Sequence, residues 1–128
     1  MTLFQFGRIK LHSGEISQWK IECDALTDED LETLAYMGAK IIGDFSAVEG
    51  VPRGGLRFAK HLKQYITKTG PLLIVDDVLT TGNSMIEFKA DRKALGLVIF
   101  NRSKYYCPSW IKAIFQFDPA SFDIVWRE

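Results

Sequence analysis

Leu72-Leu73-Ile74-Val75-Asp76-Asp77-Val78-Leu79-Thr80-Thr81-Gly82-Asn83-Ser84 decides how this chain is read. Four consecutive aliphatic residues after the Gly70-Pro71 break predict a strand over Leu72 to Asp76 that is covered on both faces. Such a strand delivers two adjacent carboxylates, Asp76 and Asp77, to its exposed end. The turn that follows is rich in Thr, Gly and Ser and opens a helix from about Asn83 to Ala90. The first amides of a helix have no partner within it, and with the hydroxyls of Thr80, Thr81 and Ser84 they make a monophosphate site that needs no cation. Carboxylates close by suit the vicinal hydroxyls of a ribose, which donate to charged acceptors. A phosphate and a diol at this separation describe ribose 5-phosphate. The bland alternative is a pair of ordinary acids at a strand end.

Working outward, the chain alternates strand and helix. Leu3 to Cys23 predicts two short strands around a His-Ser-Gly turn. Thr27 reads as a helix N-cap, with Asp30 where a capping box has Glu or Gln, and the apolar spacing carries that helix to about Asp44. Ser46 to Val51 predicts a strand ending in Pro-Arg-Gly-Gly, and Gly55, Ala59, Leu62 and Ile66 mark the buried face of a second helix. Leu95 to Phe100 is a further strand. Trp110 to Trp126 predicts one or two more, divided at Asp118-Pro119. This order indicates an α/β fold, an open and mainly parallel sheet flanked by helices, with its ligand beyond the carboxyl ends of the strands. That rule selects Gly50–Gly55, Asp76–Ser84 and Asn101–Cys107.

The chain has 128 residues, enough for one domain (1–128) with a sizeable core. Sixteen basic and sixteen acidic residues cancel, so no overall field draws it to nucleic acid or anionic lipid. The longest aliphatic stretch is far too short to span a bilayer, and no basic n-region precedes an apolar one at the N-terminus. Cys23 and Cys107 match no zinc or redox spacing and are expected as reduced thiols in cytoplasm. Locally the charge is uneven. Residues 50–70 hold Arg53, Arg57, Lys60, Lys63, Lys68 and His61 with no acid, whereas 22–32 holds six acids and no base. The basic stretch is either a seat for a polyanion or a solvated helix face.

The 72–84 run resembles the PRPP-binding signature of type I phosphoribosyltransferases, in which two acids follow four apolar residues and Thr-Thr-Gly precedes a Ser. Asn83 stands where Gly is frequent. A response-regulator receiver also has an Asp pair after an apolar strand, but that pair lies near the N-terminus, with a phosphorylated Asp one strand later. Here Asn101-Arg102 follows the next strand instead. The resemblance implies that Asp76 and Asp77 hold the ribose hydroxyls and that Val78, Leu79, Thr80, Thr81, Gly82, Asn83 and Ser84 wrap the 5′-phosphate. Glu49-Gly50-Val51-Pro52-Arg53-Gly54-Gly55 looks like the family's pyrophosphate turn, which assigns Val51, Pro52, Arg53, Gly54 and Gly55 to the diphosphate and makes Arg53 catalytic beside the two acids. Leu11-His12-Ser13-Gly14-Glu15-Ile16-Ser17 is similar to the Leu-Lys-Ser-Gly-x-x-Ser run of orotate phosphoribosyltransferases, part of a hood over the base. Residues 1–23 are then the hood and 24–128 the core. Arg102 falls where those enzymes have an arginine that meets the orotate ring, so His12, Ser13, Gly14 and Arg102 are the implied base-binding residues. The family also implies Mg²⁺ carried by the ligand, with Asp76 and Asp77 within its reach, and a homodimer. Trp19, Tyr36 and Trp110 are the apolar candidates for an interface or for core.

Length then returns as an anomaly. Only twenty residues separate Gly55 from Asp76. Orotate-type enzymes place another strand and a long mobile basic loop in that interval, and here the loop is expected to be deleted. Lys63 or Lys68 is expected to substitute in part, and Asn101 to Tyr106 to cover the site. Two functions of different class follow. One is a phosphoribosyltransferase that moves the phosphoribosyl group of PRPP to a nitrogenous base, orotate or a related pyrimidine, with release of pyrophosphate. The other is a PRPP or nucleoside 5′-monophosphate sensor that has lost turnover.

Overall fold

A computed structural model describes residues 1–11, 14, 16–103 and 107–117. Two strands, β1 (Phe4–Lys10) and β2 (Ile16–Ile21), form an antiparallel hairpin. The rest is a parallel sheet in the order β3 (Ala47–Gly50), β4 (Leu72–Leu79), β5 (Ala94–Asn101) and β6 (Ile111–Gln116). Helices α1 (Asp28–Ile42), α2 (Gly55–Leu62) and α3 (Asn83–Lys89) flank it. The hairpin plus open parallel sheet is the architecture the strand and helix periodicities predict. Asp118 to Trp126, the expected division at Asp118-Pro119 and the part of the tail after it, lies outside the described residues.

The aliphatic run of β4 sorts itself by strand alternation. Leu73 and Val75, with Leu97 and Ile99 of β5, pack against Leu31, Leu34 and Ala35 of α1 and Phe58, Ala59 and Leu62 of α2. Ile74 and Val98 face the other way, onto Met85 of α3. Gly38 lets α1 settle on the sheet, since a Cβ there would come within 2.6 Å of the Leu97 side chain. Thr27 caps α1 as expected, and Asp30 completes the box. The Asp30 amide donates to Thr27 Oγ1 at 3.0 Å and the Thr27 amide to Asp30 Oδ2 at 2.9 Å.

Both crossovers step in the same direction across the sheet, β3 to β4 and β4 to β5, yet α2 and α3 lie on opposite faces. The two connections are therefore of opposite hand, although parallel crossovers are right-handed in about 98% of cases. The exchange of faces at β4 opens a crevice over its carboxyl end.

Several boundaries differ from expectation. β4 continues to Leu79, because Val78 and Leu79 pair with Phe100 and Asn101, so the carboxylates lie within the strand and not at its end. Ile66 falls beyond α2, after a 3-10 turn (Lys63–Tyr65), and is 41% exposed, which removes it from the buried helix face. Trp19 and Trp110 pack against the two cores and only Tyr36 of the three is exposed. Two residues of the basic stretch, Arg57 and His61, turn to acids at the start of α1. Arg57 reaches Asp28 at 3.3 Å and the Leu26 carbonyl at 3.0 Å, while His61 lies 2.6 Å from Glu32, which also accepts from Gln64. The Arg57 hydrogen bond, then His61, holds the Asp28 carboxyl below its ordinary range, and His61, then Gln64, does so for Glu32.

Replacing Thr27 with Ala removes the acceptor for the Asp30 amide and is expected to lower unfolding stability by about 1 kcal/mol, read from the urea midpoint at unchanged m.

Candidate functional site

Three chain segments meet over the carboxyl ends of β3, β4 and β5 in a cleft of about 960 Å³. The turn after β3 contributes Pro52, Arg53 and Gly54; the end of β4 and the following turn contribute Asp76 through Ser84; Arg102 enters after β5. The opposite wall is the N-terminal hairpin, with Lys10, Leu11, Lys20, Ile21 and Glu22. Sequence reasoning missed this wall except as a hood in outline. A β hairpin at this length announces its strands, but nothing in its own pattern says which face docks.

Backbone contact holds the first two segments together. A Cβ on Gly54 would run into the Asp77 carboxylate, and one on Gly55 would run into the Val75 carbonyl. The turn therefore sits directly on β4, which only glycine permits. The peptide bond between Pro52 and Arg53 is cis. Val51 and Gly55 do not line the cleft; they are buried and hold the turn, with the Val51 amide donating to the Val75 carbonyl at 2.8 Å and the Gly55 amide to the Val51 carbonyl at 2.8 Å. Arg53 is exposed at the rim.

The two acids occupy different environments. Asp76 is 9% exposed, and its Oδ1 accepts from the Asp77 amide at 2.8 Å. Burial, followed by the Asp77 charge, pushes the Asp76 carboxyl up to about 8, which favours its protonated form at neutral pH. Asp77 Oδ1 accepts from the Val78 amide at 2.7 Å, and Asp77 also lines a small cavity with Cys23, Asp24, Arg57 and Phe58. Burial, then the Asp77 charge, raises the Cys23 thiol and keeps it neutral. Asp76 can therefore donate as well as accept beside Asp77.

Gly82 takes φ +87° at the N-cap of α3, and the Asn83 amide reaches Thr81 Oγ1 at 3.3 Å. Thr80 and Thr81 are half-buried, and Asn83 and Ser84 exposed. All seven residues assigned to the phosphate turn line the cleft.

Arg102 departs from its expected role. It is 7% exposed and committed to the hairpin: Nη1 donates to the Trp19 carbonyl and Nη2 to Ser17 Oγ, both at 2.8 Å, with the guanidinium 3.8 Å from the Trp19 ring centre. Asn101 is also structural, donating to Gln116 Oε1 and accepting from the Ser103 amide at 2.8 Å each. Gly14 turns the hairpin with φ +91°, its amide donating to the Leu11 carbonyl at 2.9 Å. His12 and Ser13, and Lys104, Tyr105 and Tyr106 of the expected cover, lie outside the described residues. Lys63 and Lys68 do not substitute for a lid. α2 starts at the cleft and runs away from it, so both residues sit at the opposite end of the sheet, where Thr67 and Pro71 hydrogen-bond Phe45 and Ser46.

No protein-family model matches this sequence, and no curated protein matches it. Solved structures do share its fold. UMP synthase of Leishmania donovani superposes with a TM-score of 0.71 at 19% identity over 98% of this chain, which spans 35% of that protein. Orotate phosphoribosyltransferase of Aeropyrum pernix gives 0.68 at 20% identity, over 97% of this chain and 94% of that one. The Mycobacterium tuberculosis H37Rv orotate phosphoribosyltransferase in complex with PRPP gives 0.61 at 14% identity, over 91% and 90%.

A raised carboxyl makes a testable statement about stability. The folded chain binds more protons than the unfolded one between about pH 4 and 8, so this group's contribution is present below that window and is lost as pH rises through it. Asp76→Asn, whose Oδ1 keeps the Asp77 amide, is expected to stabilise the unliganded protein by on the order of 1–3 kcal/mol above pH 8, with the gain vanishing near pH 4, as followed by thermal melts across that range. The chain has the type I phosphoribosyltransferase fold.

Proposed function

We propose that this cleft binds a 5-phosphoribosyl ligand, PRPP or a nucleoside 5′-monophosphate, and that phosphoribosyl transfer to a nitrogenous base is the reaction its residues are arranged around. The observation that carries the reading is the convergence of three separate segments, the Thr80–Ser84 turn, the Asp76-Asp77 pair and the Pro52–Gly54 turn, in one cleft. The 5′-phosphate takes the hydroxyls of Thr80, Thr81 and Ser84 and the amides of their turn. The ribose diol lies on the acid pair, donating to Asp77 and exchanging hydrogen bonds with Asp76. A diphosphate at C1 faces Arg53. In transfer, a base nitrogen forms a bond to C1 as the C1–oxygen bond breaks, the bonding pair leaves with pyrophosphate, and the proton of that nitrogen passes to the leaving group or to water. Arg53 meets the charge that grows on that leaving group.

Among the described residues no three His, Cys, Asp or Glu side chains converge as a metal site. Asp76 and Asp77 are the carboxylates in reach of a Mg²⁺ that arrives on the ligand. Such an ion, when bound, neutralises charge on the diphosphate.

A second reading, ligand binding without turnover, is favoured by the connection between α2 and β4. It consists of one 3-10 turn and the loop 66–71, and it lies at the far end of the sheet. No lid over the diphosphate comes from this interval. Closure that excludes water, on which such transfers depend, must then come from elsewhere or be absent.

Thermal protection by PRPP or a nucleoside 5′-monophosphate with Mg²⁺ is expected for the native chain and is expected to be lost in the Asp76→Asn, Asp77→Asn double variant. Absence of protection by every phosphoribosyl ligand would refute the reading of the cleft. Pyrophosphate release with PRPP and a panel of bases supports transfer, whereas tight binding with no release supports the second reading.

A further inference from the structure

β3 carries the Pro52–Gly54 turn, yet it is the outermost strand among the described residues, four residues long and paired with β4 alone. The ladder fixes such a strand along its length, whereas its tilt out of the sheet is set by what packs on its two faces. On one face Gly50 lies against α2, where a Cβ would meet the Gly55 carbonyl and the Ala59 side chain. Strand alternation turns Glu49 to the other face. Ala47 on that face is exposed, and Glu49 is reached there by Arg92, three residues beyond the end of α3. The following rests on the reading above, in which the Thr80–Ser84 turn takes the 5′-phosphate and the Pro52–Gly54 turn the diphosphate. We propose that Arg92 is a positioning residue that, through Glu49, fixes the spacing between those two turns.

Arg92 Nη1 donates to both carboxylate oxygens of Glu49, at 2.9 and 3.0 Å. Its Nη2 donates to the Phe88 carbonyl at 2.8 Å and its Nε to the Lys89 carbonyl at 3.3 Å, with the guanidinium 5.4 Å from the Phe88 ring centre. One side chain therefore closes the last turn of α3 and grips β3. The helix it closes starts within the Thr80–Ser84 turn, and the strand it grips leads into the Pro52–Gly54 turn. A single half-exposed ion pair contributes little to stability, and both side chains here keep part of their surface in water. What this pair supplies is geometry. The bonds to backbone carbonyls hold the guanidinium before it meets Glu49, and its planar fork sets the direction of approach. An ammonium at the same position cannot serve a carboxylate and two carbonyls in one plane. Neither residue lines the cleft, so any effect on a ligand passes through the two turns.

Isothermal titration with ribose 5-phosphate and with PRPP, both with Mg²⁺ and no base present, tests this on chains shown to be folded by their urea midpoints. The native chain is expected to bind both, PRPP the more tightly. In Arg92→Ala the preference for PRPP over ribose 5-phosphate is expected to fall at least about fivefold, with the ribose 5-phosphate affinity within about twofold of native. Arg92→Lys is expected to fall nearly as far, and Glu49→Gln, which keeps the shape and one acceptor, by less. Glu49→Ala spares the closure of α3 and is expected to match Arg92→Ala, which carries the test should Arg92→Ala not fold. The double alanine variant is expected to lose no more than either single one, since the two residues act as a unit. An unchanged preference in the alanine variants overturns the proposal and leaves the phosphoribosyl reading intact. So does an equal loss for the two ligands, which is what a structural role alone produces, and so does a double variant whose loss is the product of the single losses. PRPP binding no more tightly than ribose 5-phosphate to the native chain takes the diphosphate from the Pro52–Gly54 turn and the proposal with it. Failure of ribose 5-phosphate itself to bind sinks the reading of the cleft.

Discussion

Everything at this site depends on the close approach of the glycine turn after β3 to the strand β4. Gly54 rests on the Asp77 carboxylate and Gly55 on the Val75 carbonyl, at separations no side chain could share. That contact brings a cation-bearing turn and an acid pair, more than twenty residues apart in the chain, into one cleft. It also encloses the acids. Asp76 is driven to retain its proton by the same packing that assembles the site, a local cost to stability of the kind that functional positions carry.

The path of the chain around β4 accounts for both the cleft and its openness. α2 and α3 lie on opposite faces although the strands progress in one direction, so the two crossovers differ in hand. A chain that passes directly from α2 to β4 has no intervening strand beside β3, which is left as a sheet edge among the described residues. The short connection ends against Phe45 and Ser46, remote from the ligand end. One economy in length thus gives an unusual crossover, an open sheet edge and a cleft with no lid from this interval.

The hairpin shows how a residue can keep its place and change its work. Arg102 follows β5 on the ligand side, as the resemblance to orotate enzymes implies. Its guanidinium is nevertheless absorbed by the hairpin, through Trp19 and Ser17. Asn101 beside it joins β5 to β6. Two of the six basic residues at 50–70, Arg57 and His61, are likewise turned onto Asp28 and Glu32. Arg53 remains at the cleft because it lies in the turn and not on the helix.

The sequence by itself determined the parallel sheet, the capped first helix, and the Thr80–Ser84, acid-pair and glycine-turn segments, because each is written in local spacing. A doubly covered strand needs its run of aliphatics, a box needs Thr27 and Asp30, and a close turn needs glycine. Tertiary structure alone decided the proton on Asp76, the extension of β4 past its acids, the end of the sheet at which Lys63 and Lys68 stand, and the partners of Arg102 and His61. These depend on burial and on neighbours distant in the chain. The charge of a side chain is legible in sequence; what it is spent on is settled only when another element packs against it.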